Sequence, residues 1–273
     1  MIREVTGRDG HGRDGHGRDV TWRVRDEGTG PVLLLVHGFP LDHQMWTHQF
    51  TDLSRDFRLI APDLRGFGGS SPVEGELTLP LLADDLAVIL DRLAITEPVA
   101  YVGLSMGGYV GWQFWARHAD RVRALAMCDT RAAADSAMAA EARRRLADRV
   151  LAEGVPVLTE EMLPRLFAPS STRDRSDDVR RTLEVMNGTS PRTIAAAQRA
   201  MAARPDMTEA LAGITVPVLA LCGEEDRITP TEEMRAMAER IPGASYLEIP
   251  AAGHMAPLEN PAAVNEALRA FLG

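Results

Sequence analysis

From Val20 onward the chain alternates short apolar runs with longer amphipathic ones. VTWRVRD, PVLLLVH and FRLIAPD are each of strand length, and the pattern then lengthens into a helix over 79–93. PVAYVG follows, then a helix from about 106 to 118, then the strand RVRALAMCD. Near-continuous apolar strands fit burial on both faces. Strands alternating with helices predict a parallel sheet with crossover helices.

The rhythm breaks at about residue 131. As far as 207 the pattern holds no strand, only helical stretches rich in Ala, Arg and Leu, interrupted by Gly154, Pro156, Pro164, Pro169, Gly188 and Pro191. Strand and helix resume with VPVLALCG, a helix after Pro230, SYLEIP and a terminal helix over 261–272. The expected organisation is one α/β core over 20–130 and 208–273, interrupted by a helical cap or lid over 131–207.

Residues 1–19 are expected to be a flexible tail or loop, because 7–19 read GRDGHGRDGHGRD. Such a tract buries too little apolar area to offset the entropy of ordering it. Its His11 and His16 do not make a preformed metal site.

Composition narrows the function classes. A chain of 273 residues with 45% hydrophobic content can bury a sizeable core. The balance of 30 basic against 39 acidic residues, −9 overall, offers no attraction to nucleic-acid phosphates or anionic lipid and suits an uncharged small-molecule substrate. The apolar runs are strand-sized, so no membrane span is expected. The polar N-terminus lacks the pattern of a secretory signal, which makes the cytoplasm the expected location. Cys128 and Cys222 end strand-like runs and read as free, buried thiols.

Gly103-Leu104-Ser105-Met106-Gly107 is a G-x-S-x-G sequence lying directly after a strand and directly before a helix. That context makes Ser105 the candidate nucleophile on a sharp, strained turn. A serine hydroxyl is a weak nucleophile without a base. Of His11, His16, His37, His43, His48, His118 and His254, only His254 follows the late strands, as the chain order serine, acid, histidine demands. Asp226, in Gly223-Glu224-Glu225-Asp226, is the preferred acid, with Asp129 at the end of the preceding strand as its competitor. Glu224 and Glu225 are expected to face solvent.

Acyl transfer also needs two backbone N–H donors, for which Met106 and Phe39 in His37-Gly38-Phe39-Pro40 are the candidates. His37 reads as a packed support for that loop, Asp42 as a helix cap, and His43 and His48 as surface positions of the following helix. Gly66-Phe67-Gly68-Gly69-Ser70 lacks the spacing of a phosphate-binding loop and reads as a turn. Met138, Met162, Leu163, Leu166 and Phe167 are candidate apolar walls of a substrate pocket. Trp112 is a further candidate there, although it and Trp115 read better as core or cap packing.

With these residues placed, the chain resembles the α/β-hydrolase superfamily through HGFP, DLRGFGGS, GLSMGG, GEEDRITP and GHMAPLENP. Within it, LDHQMW and GLSMGGYVGWQFWARHADRVRALAMCDT look most like the 3-oxoadipate enol-lactonase and carboxylesterase branch. The resemblance implies a mostly parallel eight-stranded sheet flanked by helices. It also implies a cofactor-free, metal-free serine mechanism on Ser105, Asp226 and His254, with the Phe39 and Met106 amides. The expected substrate is a small to medium ester or lactone, with water as the second reactant. Perhydrolysis, carbon–carbon bond hydrolysis and a catalytically weak binding protein are the alternatives. The aspartate-nucleophile dehalogenases are disfavoured by the serine.

Overall fold

The computed structural model describes residues 1–8, 19–171 and 176–273. Its strands are β1 (Ile2–Arg8), β2 (Asp19–Glu27), β3 (Val32–Val36), β4 (Arg58–Pro62), β5 (Val99–Leu104), β6 (Val122–Cys128), β7 (Val218–Gly223) and β8 (Ser245–Ile249). They form one eight-stranded sheet in the order β1-β2-β4-β3-β5-β6-β7-β8. β1 and β2 join antiparallel, as do β2 and β4, and every other neighbouring pair is parallel.

The central strands are apolar because helices cover both of their faces. The helices of the first half are α1 (Thr47–Leu53), α2 (Leu79–Arg92) and α3 (Met106–Arg117). Alternate residues of β3 feed two cores: Leu34 and Val36 pack with Leu82 and Leu86 of α2 and Val110 of α3, while Leu33 and Leu35 pack with Phe50 of α1. Thr78 caps α2, its hydroxyl accepting the Leu81 amide at 3.2 Å.

Seven of the eight strands coincide with the apolar runs of the sequence; β1 does not. The expectation of a flexible tail over 1–19 is corrected at both ends, since Ile2–Arg8 and Asp19 belong to the sheet. Gly7 opens the glycine-rich repeat in the sequence, yet in the fold it is a packing glycine. A Cβ there would lie 2.6 Å from Val88 Cγ1 and 3.1 Å from Trp22 Cζ3, so its bareness lets β1 approach α2. The remainder of the repeat, 9–18 with His11 and His16, lies outside the described residues.

Between β6 and β7 the chain runs through α4 (Ala137–Glu153), α5 (Pro156–Leu166), α6 (Ser176–Gly188) and α7 (Pro191–Ala202). Ser136 caps α4, and Gly154 at φ +93° ends it. Pro156 and Pro191 open helices, where a missing N–H costs nothing. Pro164, expected to interrupt, instead sits inside α5; Glu160, whose carbonyl it leaves without a helical partner, is exposed to water. Asp135 ties the two ends of this segment together, accepting from Arg143 at 2.6 Å and from Arg204 at 2.8 Å.

The chain closes with α8 (Thr231–Glu239), α9 (Ala256–Glu259) and α10 (Pro261–Leu272). Cys128 and Cys222 are free and buried. Among the described residues, no helix is long and apolar enough to cross a membrane.

Candidate active site

Ser105 occupies the single residue between β5 and α3, with φ 52° and ψ −113°, a region that L-residues enter only under constraint. Three hydrogen bonds hold the strain. The Ser105 amide donates to Cys128 O at 2.9 Å, the Thr130 hydroxyl donates to Ser105 O at 2.7 Å, and the Tyr101 hydroxyl donates to Gly107 O at 2.5 Å. Gly107 is required by close approach, since a Cβ there would lie 2.2 Å from Val36 O.

His254 follows β8 in a loop, and its Nδ1 lies 2.8 Å from Asp226 Oδ2. Both side chains are buried. The other Asp226 oxygen accepts the Ile228 and Thr229 amides at 2.7 and 3.0 Å, which fixes the carboxylate plane. Glu224 and Glu225 are exposed, as expected. With Nδ1 engaged, Nε2 is the imidazole nitrogen that makes no hydrogen bond among the described residues, and His254 and Ser105 line the same pocket.

The competitor, Asp129, is also buried but does not contact the imidazole; its Oδ1 accepts the Gly223 amide at 2.7 Å. Burial, reinforced by the neighbouring Asp226 charge, pushes its carboxyl well above the usual carboxylate range.

The early loop is built from inside. His37 is fully buried, its Nδ1 donating to Gly38 O at 2.9 Å and its Nε2 accepting the Leu64 amide at 3.0 Å. This arrangement requires the neutral ring, and burial holds the His37 pKa below its ordinary value. The Phe39–Pro40 peptide is cis, and Phe39 lines the pocket beside Ser105. Neither the Phe39 nor the Met106 amide makes a hydrogen bond among the described residues.

His43, expected at the surface, is instead buried, with its amide 2.9 Å and its Nδ1 2.6 Å from Asp63 Oδ1. Burial alone would raise Asp63, but the His43 ring and the Gly69 and His43 amides outweigh it and hold the carboxyl below its usual range. The glycine-rich turn at 66–70 is thereby tied to the loop before α1, a role the sequence did not disclose. His48, also expected at the surface, is half-buried against α6, 3.0 Å from Asp178. Asp42 accepts the Gln44 amide at 2.8 Å, as a cap should.

The pocket is about 260 Å³. Met162 lines it, as expected. Five other candidates do not. Trp112 is buried in the core with its indole N–H 3.1 Å from Arg131 O, and Met138 is 83% exposed. Leu166 and Phe167 are buried in the core beneath the His254 loop. Leu163 packs there as well. Apolar type alone does not reveal which helix face turns inward. The walls are mixed, with Tyr109, Arg143, Arg165 and Gln198 beside Leu146, Met162 and Met201.

Glu259 escapes the sequence reading altogether. Its Oε1 accepts the Gly253 and Met255 amides at 2.9 and 3.0 Å, and its Oε2 accepts the Ala168 amide at 2.7 Å. The available signal is an acidic residue in the apolar stretch after the histidine, GHMAPLE.

Among the described residues, two buried clusters contain metal-capable groups: Asp42, His43 and Asp63, and Asp129, Cys222 and Asp226. In both, the carboxylates already accept N–H donors, and burial raises the Cys222 thiol far from its thiolate form. The donor sets therefore fit internal hydrogen bonding better than a cation.

The family described as alpha/beta hydrolase fold is matched over residues 31–261. The chain is 27% identical over 242 residues to 3-oxoadipate enol-lactonase 2 of Acinetobacter baylyi, covering 89% of this chain and 88% of that one. Among solved structures, a thermophilic esterase from Thermogutta terrifontis superposes with a TM-score of 0.93 at 42% identity, over 100% of this chain and 98% of that one. The enol-lactonase from Burkholderia xenovorans LB400 superposes with a TM-score of 0.86 at 30% identity, over 93% of this chain and 96% of that one. The chain belongs to the alpha/beta hydrolase fold family and lies near its enol-lactonase branch.

Proposed function

We propose that this chain hydrolyses carboxylic esters or lactones of small to medium size through a covalent acyl-enzyme on Ser105. The observation that carries the reading is the 2.8 Å contact of His254 Nδ1 with Asp226, in a pocket that His254 shares with Ser105 at its strained turn. The likeness to an esterase and to enol-lactonases supports the same class of substrate.

His254 Nε2 takes the Ser105 hydroxyl proton as Oγ attacks the substrate carbonyl carbon. The resulting oxyanion accepts the Phe39 and Met106 N–H groups, and Asp226 stabilises the imidazolium. Collapse breaks the bond to the alkoxy oxygen, which takes the proton from His254. Water then attacks the acyl group, giving a proton to His254, and the acid leaves as Ser105 regains its hydrogen. The helices between β6 and β7 act as a cap whose side chains, Met162 among them, select the acyl or alkyl group.

Hydrolysis of p-nitrophenyl acetate and butyrate by wild type and Ser105→Ala tests this. The variant is expected to lose activity by several orders of magnitude, and a fluorophosphonate is expected to label the wild type at Ser105. Equal rates in the two proteins would leave a hydrolase fold that binds without turnover.

A further inference from the structure

Asp129 directly follows β6 and is fully buried, and the hydrolytic scheme gives it no step. Its backbone stands at φ +47°, in the left-handed region that few non-glycine residues occupy, so the fold holds the side chain in place at a cost. Oδ1 accepts the Gly223 amide at 2.7 Å, while Oδ2, equally buried, meets no donor among the described residues.

A carboxyl oxygen of Asp129, one of Asp226 and the Cys222 sulfur lie within 4.8 Å of one another. The titratable groups facing Asp129 are Asp226 in the loop after β7, Glu259 of α9, and the thiols Cys128 and Cys222, with His254 beyond Asp226. No arginine pairs with Asp129 among the described residues. Two buried carboxyls this close, with no arginine paired to either among the described residues, hold a proton. The assignment of that proton follows from the partners. Asp226 already accepts from the Ile228 and Thr229 amides and faces His254 Nδ1; Asp129 has one amide, and its Oδ2 has no donor among the described residues.

We propose that Asp129 is a positioning residue, a neutral carboxylic acid whose Oδ2–H donates to the Asp226 carboxylate and braces it against His254. The proton stays on Asp129 throughout the reaction. The pair thus presents a single negative charge to the imidazole, aimed by hydrogen bonds from both sides. This inference rests on the reading of Asp226 as the acid of a serine hydrolase.

Asp129→Asn replaces the O–H donor by an amide N–H donor that cannot ionise, and asparagine tolerates left-handed backbone. Asp129→Ala removes the donor. Turnover is expected to fall by about tenfold or more in Asp129→Ala with little change in KM, most of the loss being restored in Asp129→Asn. Thermal unfolding supplies a second readout that needs no substrate. Unfolded, Asp129 ionises near its ordinary value of 3.8, whereas in the fold it stays protonated to higher pH. Wild type therefore loses stability relative to Asp129→Asn as pH rises, and the wild-type Tm minus that of Asp129→Asn is expected to fall from about pH 4 to about pH 8.

A Tm difference that is constant across this range would overturn the proposal, as would an Asp129→Asn loss matching that of Asp226→Asn. Should the wild type prove inactive on every ester, the proposed function would fall, and the Tm difference would still decide the protonation of Asp129.

Discussion

Glu259 holds the chain on both sides of His254 through one carboxylate oxygen, which accepts the amides of residues 253 and 255. Its second oxygen reaches Ala168, just beyond α5, so the loop carrying His254 and the end of α5 share an anchor. Replacing Glu259 by Gln leaves one acceptor oxygen where two are used and turns an N–H donor toward a backbone amide. Glu259→Gln is expected to lower stability by about 2 kcal/mol or more in urea unfolding, with a parallel fall in turnover. Unchanged values of both would show that the loop holds its shape without this anchor.

Asp226→Asn keeps the size of the side chain but removes the charge that faces His254 Nδ1. An esterase activity lower by about 10³–10⁴-fold is expected, with KM far less affected. The check is steady-state kinetics on p-nitrophenyl butyrate beside Asp129→Asn, which should retain most of the activity lost in Asp129→Ala.

The strain at Ser105 predicts a separation of stability from activity. Ser105→Gly frees φ 52° from its Cβ clash and is expected to raise stability by about 1 kcal/mol while abolishing hydrolysis. Ser105→Ala abolishes hydrolysis without that gain. Melting temperatures of the three proteins decide it, and a Ser105→Gly protein no more stable than Ser105→Ala would remove the claim of strain.

His37 predicts acid sensitivity. An unfolded histidine takes up a proton near its ordinary value of 6.5, but buried His37 does so only at lower pH. Below about 6.5 the unfolded state therefore binds more protons, and stability falls as pH falls, by up to about 1.4 kcal/mol per pH unit from this group. Calorimetry between about pH 7.5 and about pH 5.5 should show the decline, and His37→Asn, which cannot titrate there, should reduce its slope.

Much of this molecule is legible in its residues. The strands β2 to β8 stand where apolar runs predict them because the sheet is buried on both faces, leaving little room for polar side chains. Ser105 stands out because its turn needs glycine two residues to either side, at Gly103 and Gly107, where a Cβ would meet backbone. The pattern prefers Asp226 and leaves Asp129 as its competitor, since each lies just beyond a strand; the turn geometry at 226–229 is what brings Asp226 to the imidazole. β1 is hidden because the signal for it, Val5 followed by a bare Gly7, looks like the start of a polar repeat. The pocket walls are hidden for a different reason. Met138 and Met162 are chemically alike, and only the rotation of α4 and α5 leaves one in water and turns the other toward Ser105.

The first strand also sets a rule for handling the protein. β1 is the border of the sheet, and Arg3, Glu4 and Arg8 give that border charges that discourage a second molecule from docking along it. An expression clone trimmed to begin at residue 19 would discard this guard, unzip the whole β1–β2 ladder from Ile2–Arg25 to Arg8–Asp19, and uncover the indole of Trp22. Such a shortened protein would be inclined to self-associate and precipitate although every residue around Ser105 remained in place.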